Sequence, residues 1–193
     1  MKKHHILLIS FFSIHAPMAI AQNYQQFETI FNEGISLFRK HDYVQAITTL
    51  KKAIAINPNH EQTYFNIGLI YLTQEDHTQA ASYFQQAIEH KIDYIKAYSY
   101  LGQAYQKLER FDDALNCYNK MNQYAPPSAE LHINMARLYK ATHKPDQELN
   151  SYKQALALEP HNIIALFDIS YLYTNSGNYQ AAIPYYEKLL SVD

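Results

Sequence analysis

From residue 27 onward, apolar side chains recur at steps of three and four and are separated by short polar stretches. Tyr64, Ile67, Gly68 and Tyr71 fall on one helical face, and Ala80, Phe84, Ala87 and Ile88 fall on another. That spacing predicts amphipathic α-helices in pairs rather than strands. Asp42, Asp76 and Asn178 precede the second helix of their pairs, where a side-chain oxygen can cap the first free amides. Pro58, Pro126 and Pro160 follow pair ends and stop the helix before them.

The pairs repeat at a fixed interval. Gly34, Gly68 and Gly102 are each 34 residues from the next, and the series continues through the small residues Ala136 and Ser170. Ala46, Ala80, Ala114 and Ala182 form a second series, broken by Glu148. Aromatic residues form two more: Tyr71, Tyr105, Tyr139 and Tyr173, and Phe84, Tyr118, Tyr152 and Tyr186, with Leu37 and Leu50 in the first unit. Small residues allow close approach of two helices, and the aromatics fill the space beside them. One such hairpin cannot bury its apolar stripe alone, whereas five in a stack make a continuous core.

The period and these residues resemble the tetratricopeptide (TPR) repeat family, with units at 27–60, 61–94, 95–128, 129–162 and 163–193. The resemblance implies an all-α solenoid of five helix-turn-helix repeats forming a right-handed superhelix, preceded by a short polar lead, 22–26. Two departures stand out. Glu148 takes a place suited to Ala and has Pro145 nearby, so unit four is expected to pack less tightly or to start its second helix late. Pro184 falls inside the last helix and is expected to kink it.

Residues 1–21 have the form of a secretory signal peptide: Lys2 and Lys3, the apolar run Ile6–Ile14, a break at Pro17 and the small-x-small site Ala19-Ile20-Ala21. The run is shorter than the roughly 20 apolar residues of a membrane span, so no stable membrane insertion is expected. The expected mature chain starts at Gln22 and is exported to a bacterial periplasm or secreted. Export suits the single Cys117, which has no partner in the chain and reads as a packing residue.

Composition excludes more than it suggests. The chain has 193 residues, Lys+Arg 16, Asp+Glu 18 and a net charge of −2, falling to −4 once Lys2 and Lys3 are removed. That charge offers no footprint for nucleic acid. Four glycines leave almost no material for a phosphate-binding loop, and neither a nucleophile elbow nor a zinc or calcium motif can be written. His41, His60, His77, His90, His132, His143 and His161 fall mostly at turns and unit ends, and His132 takes an aromatic core place. No catalytic residue, metal or cofactor is expected.

The resemblance implies that the first helices line a concave groove for a protein or extended peptide. Its groove positions carry Asn32, Asn66, Tyr100, Asn134 and Asp168, a row rich in amides able to grip a peptide backbone. Phe31, Ile35, Phe38, Phe65, Leu69 and Leu72 are expected to face water as an apolar patch. Lys96, Gln103, Lys107, Arg137 and Lys140 form a basic stretch, and Phe167 and Tyr171 return to aromatic character. Asn66 and Lys96 match the family's carboxylate clamp for chaperone tails, but Phe31, Ile35 and Tyr100 do not, which argues against that partner. The groove implies an adaptor in envelope or secretion-system assembly. The alternatives are a homo-oligomer joined through an uncovered Leu189, Leu190 and Val192, which solution mass would distinguish, and a regulatory subunit that positions an enzyme on another chain.

Overall fold

The computed structural model describes residues 4–192, with side chains from residue 20 onward. Ten α-helices and no strand are present among these residues. The chain is all-α and divides into two compact units, residues 1–92 and 93–193. The first holds α1 (His4–Arg39), α2 (Tyr43–Ile56), α3 (Glu61–Thr73) and α4 (His77–His90). The second holds α5 (Ile95–Lys107), α6 (Phe111–Tyr124), α7 (Ala129–Ala141), α8 (Pro145–Leu158), α9 (Ile163–Asn175) and α10 (Tyr179–Leu190). Odd and even neighbours pair into antiparallel hairpins. Within the first unit α2 packs on α3, and within the second α6 packs on α7 and α8 on α9. The signal-peptide region lies largely outside the residues with described side chains. Its backbone from His4 belongs to α1, which passes through Pro17 without the expected break.

The small-residue series explains how each hairpin closes. A Cβ added at Gly68 would lie 2.7 Å from Phe84 Cε1, and one at Gly34 would lie 2.7 Å from Leu50 Cγ. At Gly102 it would meet Tyr118 Cε1, again at 2.7 Å. The first helix therefore opposes a large side chain of the second directly, and only hydrogen fits between them. Leu50, Phe84, Tyr118 and Tyr152 are almost completely buried.

The turns repeat with equal fidelity. His41, Glu75, Glu109, His143 and Gly177 all have left-handed backbone conformations, with φ of 62°, 62°, 56°, 55° and 76°. In each case the amide of the following residue donates to a carbonyl five positions back: Asp76 to Tyr71 at 3.0 Å, Arg110 to Tyr105, Lys144 to Tyr139 and Asn178 to Tyr173, each of these three at 2.9 Å. This closes the helix as a Schellman-type cap, and the donor residue is at once the N-cap of the next helix. Asp42, Asp76 and Asn178 accept from Gln45, Gln79 and Ala181 amides, as their positions predict. Arg110 and Lys144 make no side-chain cap bond.

Two local expectations are corrected or refined. The second helix of unit four does not start late: Pro145 is its first residue, where a missing N–H costs nothing and the fixed φ suits a helix. The last helix continues through Pro184 to Leu190 as one element.

Four of the five left-handed turn residues carry a side chain at a conformation that costs an L-residue about 1–2 kcal/mol. His143→Gly is therefore expected to stabilise the protein by about 0.5–1 kcal/mol, after the extra freedom of unfolded glycine is subtracted. Gly177→Ala, which meets nothing within 4 Å, is expected to destabilise it by about 1 kcal/mol through φ alone. Urea denaturation checks both, and equal midpoints for the two variants would contradict this account.

Candidate functional site

The first helices of the hairpins carry the residues proposed for the groove, and the two units differ sharply. In the first unit the expected apolar patch faces water only in part, one member being buried and the other five half-buried. Phe65 is buried and tilts against Phe84 at 5.6 Å between centroids. Phe31, Ile35 and Phe38 are half-buried and pack against the core of Ala46, Leu50, Ile67 and Ile70. Phe31 also meets the His60 ring edge at 5.0 Å, beside Phe27. Burial there holds the His60 pKa below its ordinary value, despite the charges of Glu61 and Glu28. Leu69 and Leu72 are half-buried as well. The physical reason is the width of the buried stripe, which covers well over 100° of each helix and takes in positions flanking the core.

The amide row is present but partly engaged with its own helices. Asn32 is exposed, whereas Asn66 Nδ2 donates to the Gln62 carbonyl at 2.7 Å. Asn134 Oδ1 accepts from Arg137 Nη1 at 3.5 Å. Tyr100 is half-buried, and Lys96 and Gln103 are exposed on the same helix, α5. Of the residues expected at the oligomer face, Leu190 is 85% exposed, whereas Leu189 and Val192 are half-buried. The wider apolar face of α10 is Tyr179, Ile183, Tyr186 and Leu190, all exposed. Counterparts one or more repeats earlier, such as Leu50, Ala81 and Tyr152, are buried.

The second unit gathers the chemistry, on α7, α8 and α9. Phe167 and Tyr171 are exposed on α9 and stack at 6.4 Å with an 11° interplanar angle. Lys140 Nζ from α7 lies 3.6 Å from Asp168 Oδ1 and 5.8 Å from the Tyr171 ring centroid. Beneath this exposed layer is Glu148 of α8, only 4% exposed, with its Oε1 lacking any hydrogen-bond partner. Burial pushes its carboxyl above the ordinary range; the Lys140 charge opposes the shift and the Asp168 charge adds to it. Tyr152, one turn further along α8, is raised too, by burial first and then by the charge and hydrogen bond of Asp168. Sequence reasoning identified Glu148 as out of place among alanines but did not connect it with Lys140 and Asp168. The signal was available: all three fall where α7, α8 and α9 of successive repeats converge.

Other titratable candidates remain isolated. Cys117 is buried, and its thiol is pushed up to about 12 by burial, with Asp113 adding to the shift. His132 is buried with its pKa lowered for the same reason. Among the described residues no group of three or more His, Cys, Asp or Glu could hold a metal ion, and no helix is long and apolar enough to cross a membrane.

Three family models, each described as a tetratricopeptide repeat, match residues 26–93, residues 71–138 and, as two successive copies, 129–162 and 163–193. No curated protein sequence matches the chain. Among solved structures, a crystal structure of MamA is 21% identical with a TM-score of 0.73, covering 82% of this chain and 92% of that one. A second MamA crystal structure is 20% identical at 0.75, covering 86% and 90%. MamA from Desulfovibrio magneticus RS-1, residues 41 to the end, is 15% identical at 0.72, covering 86% and 94%. At these identities the likeness is one of fold.

Glu148 occupies a place that Ala46, Ala80, Ala114 and Ala182 fill in the other hairpins with at most 3% exposure. The folded protein holds its proton to higher pH than the unfolded chain, whose carboxyl titrates near about 4.3. Its contribution to stability is therefore fully present below that value and is lost as pH rises through the raised folded value. Glu148→Ala is expected to raise the melting temperature at pH 7 by about 2–4 °C, corresponding to about 1 kcal/mol. The gain should shrink toward pH 4. A variant that melts lower than the parent at pH 7 would refute this cost.

Proposed function

Because this chain belongs to the tetratricopeptide-repeat family, we propose that it is a non-catalytic, exported scaffold that holds an extended acidic protein segment against the first helices of its hairpins. The observation that carries this reading is the surface of α7 and α9, where the stacked Phe167 and Tyr171 lie beside Lys140. Exposed aromatic rings next to long cationic side chains are the usual anchors of a protein interface, since they gain area at little entropic cost. The groove positions of the second unit carry Lys96, Lys107, Arg137 and Lys140 against the single Asp168, and all four cations are exposed. An acidic segment would therefore meet a positive surface on a chain that is acidic overall. Asn134 adds an amide able to bond a peptide backbone.

The pattern of residues 1–21 supports export, and the periplasm, with a role in envelope or secretion-system assembly, is the setting that such a leader suggests. Protein recovered from the periplasm of a bacterial host is expected to begin at Gln22, by intact mass. Recovery only in the cytosol, with Met1 retained or removed, would end the export reading.

Binding is tested with a fluorescein-labelled hexaglutamate peptide, with hexalysine as the control, by fluorescence anisotropy. Arg137→Glu and Lys96→Glu are each expected to weaken hexaglutamate binding about tenfold and to flatten its salt dependence. Affinities and salt slopes unchanged by both reversals would rule out the acidic-segment reading.

A further inference from the structure

Glu148 is the one buried charged residue among the described side chains, and its repeat register does not call for it. The same position is Ala in the other four hairpins, so closing the hairpin needs no carboxyl. Nor is it a satisfied structural acid, because Oε1 has no hydrogen-bond partner. A residue that breaks a local rule at a stability cost is the kind found at functional sites. Its setting suggests the function. Lys140 and Asp168, both on the groove surface and 3.6 Å apart, act on its charge directly.

Resting on the acidic-segment reading above, we propose that Glu148 couples capture of a partner carboxylate at Arg137 and Lys140 to the uptake of one proton. With Glu148 ionised, the cluster holds two cations, Arg137 and Lys140, and two anions, Glu148 and Asp168, and is neutral. With Glu148 protonated it carries one net positive charge. An incoming carboxylate is then attracted by the cluster instead of meeting a second anion beneath the surface. The proton moves from solvent to the Glu148 carboxyl, and no bond in the partner changes. Reciprocity requires that a bound carboxylate in turn strengthens the hold of Glu148 on its proton. Burial above the usual carboxyl range places this equilibrium closer to neutral pH than an exposed Glu would reach.

The groups facing Glu148 are known on every packed element. From α7 Lys140 and from α9 Asp168 act on it, and on α8 itself Tyr152 does. Arg137 of α7 acts on Tyr152, whose raised pKa keeps it protonated throughout the range used, and Tyr171 of α9 lies against Lys140. His132 lies at the opposite end of α7 from Lys140, and His143 at the α7–α8 turn. Burial holds the His132 pKa down, and both histidines are retained when only Glu148 is changed.

The experiment measures hexaglutamate affinity by anisotropy from pH 5.5 to 8 at constant low ionic strength, where the probe itself stays ionised. The parent protein is expected to bind about three- to tenfold more weakly at pH 8 than at pH 5.5. Glu148→Gln keeps the shape of the protonated acid and is expected to bind more tightly than the parent at pH 8 and with a flatter pH slope. Glu148→Ala, a residue the other hairpins already accept, should show the same flattening if the Gln variant folds poorly. Equal slopes in parent and variants would overturn the role of Glu148 while leaving the acidic-segment reading in place. Absence of binding at every pH, in the parent as well, would overturn both.

Discussion

The contact between a glycine on one helix and a bulky side chain on its partner governs much of this structure. At Gly34, Gly68 and Gly102 there is room for hydrogen alone, because Leu50, Phe84 and Tyr118 stand where a methyl group would be. That proximity brings each hairpin close enough to bury the large side chain entirely, and within each unit the buried side chains form part of the surface on which neighbouring hairpins stack. Ala136 and Tyr152 continue the arrangement within the core cluster of the later repeats. Packing at this density tolerates neither voids nor added volume. The fixed 34-residue interval keeps successive small–large pairs in register.

The turns show how a repeat tolerates local strain. A left-handed residue closes every first helix, yet only the last repeat supplies glycine there. The other four accept His or Glu at a cost, because the cap bond from the next amide and the docking of the second helix together fix the backbone. Three of the four glycines thus stand where a side chain cannot fit at all, and only Gly177 stands where one is merely unfavourable.

Glu148 represents the opposite allocation. The small-residue place between three helices is satisfied by Ala in four hairpins, and in one it receives a carboxyl with an unpartnered oxygen. A buried unpaired acceptor costs more than most single contacts return. Its position under the Lys140–Asp168 ion pair sets a proton-binding group directly behind the surface with the most exposed aromatic and cationic character. The two units accordingly differ in what their first helices present. The first unit folds its apolar groove residues inward, whereas the second presents rings and charges outward.

The sequence by itself determined the helical hairpins, their count and their register, because periodicity and small-residue spacing are properties of local geometry and close packing. It also identified the N-caps at Asp42, Asp76 and Asn178, since a cap depends on neighbours three residues away. What it could not settle was exposure along the edge of the buried stripe. Phe65 and Phe167 hold equivalent positions in the second and fifth repeats, yet the first is buried against Phe84 and the second is 53% exposed. Only the packing of neighbouring hairpins decides such cases. For the same reason Glu148 was visible as an anomaly but not as a site: its partners Lys140 and Asp168 lie on two other helices, and burial, which shifts its proton affinity, exists only once those helices have closed around it.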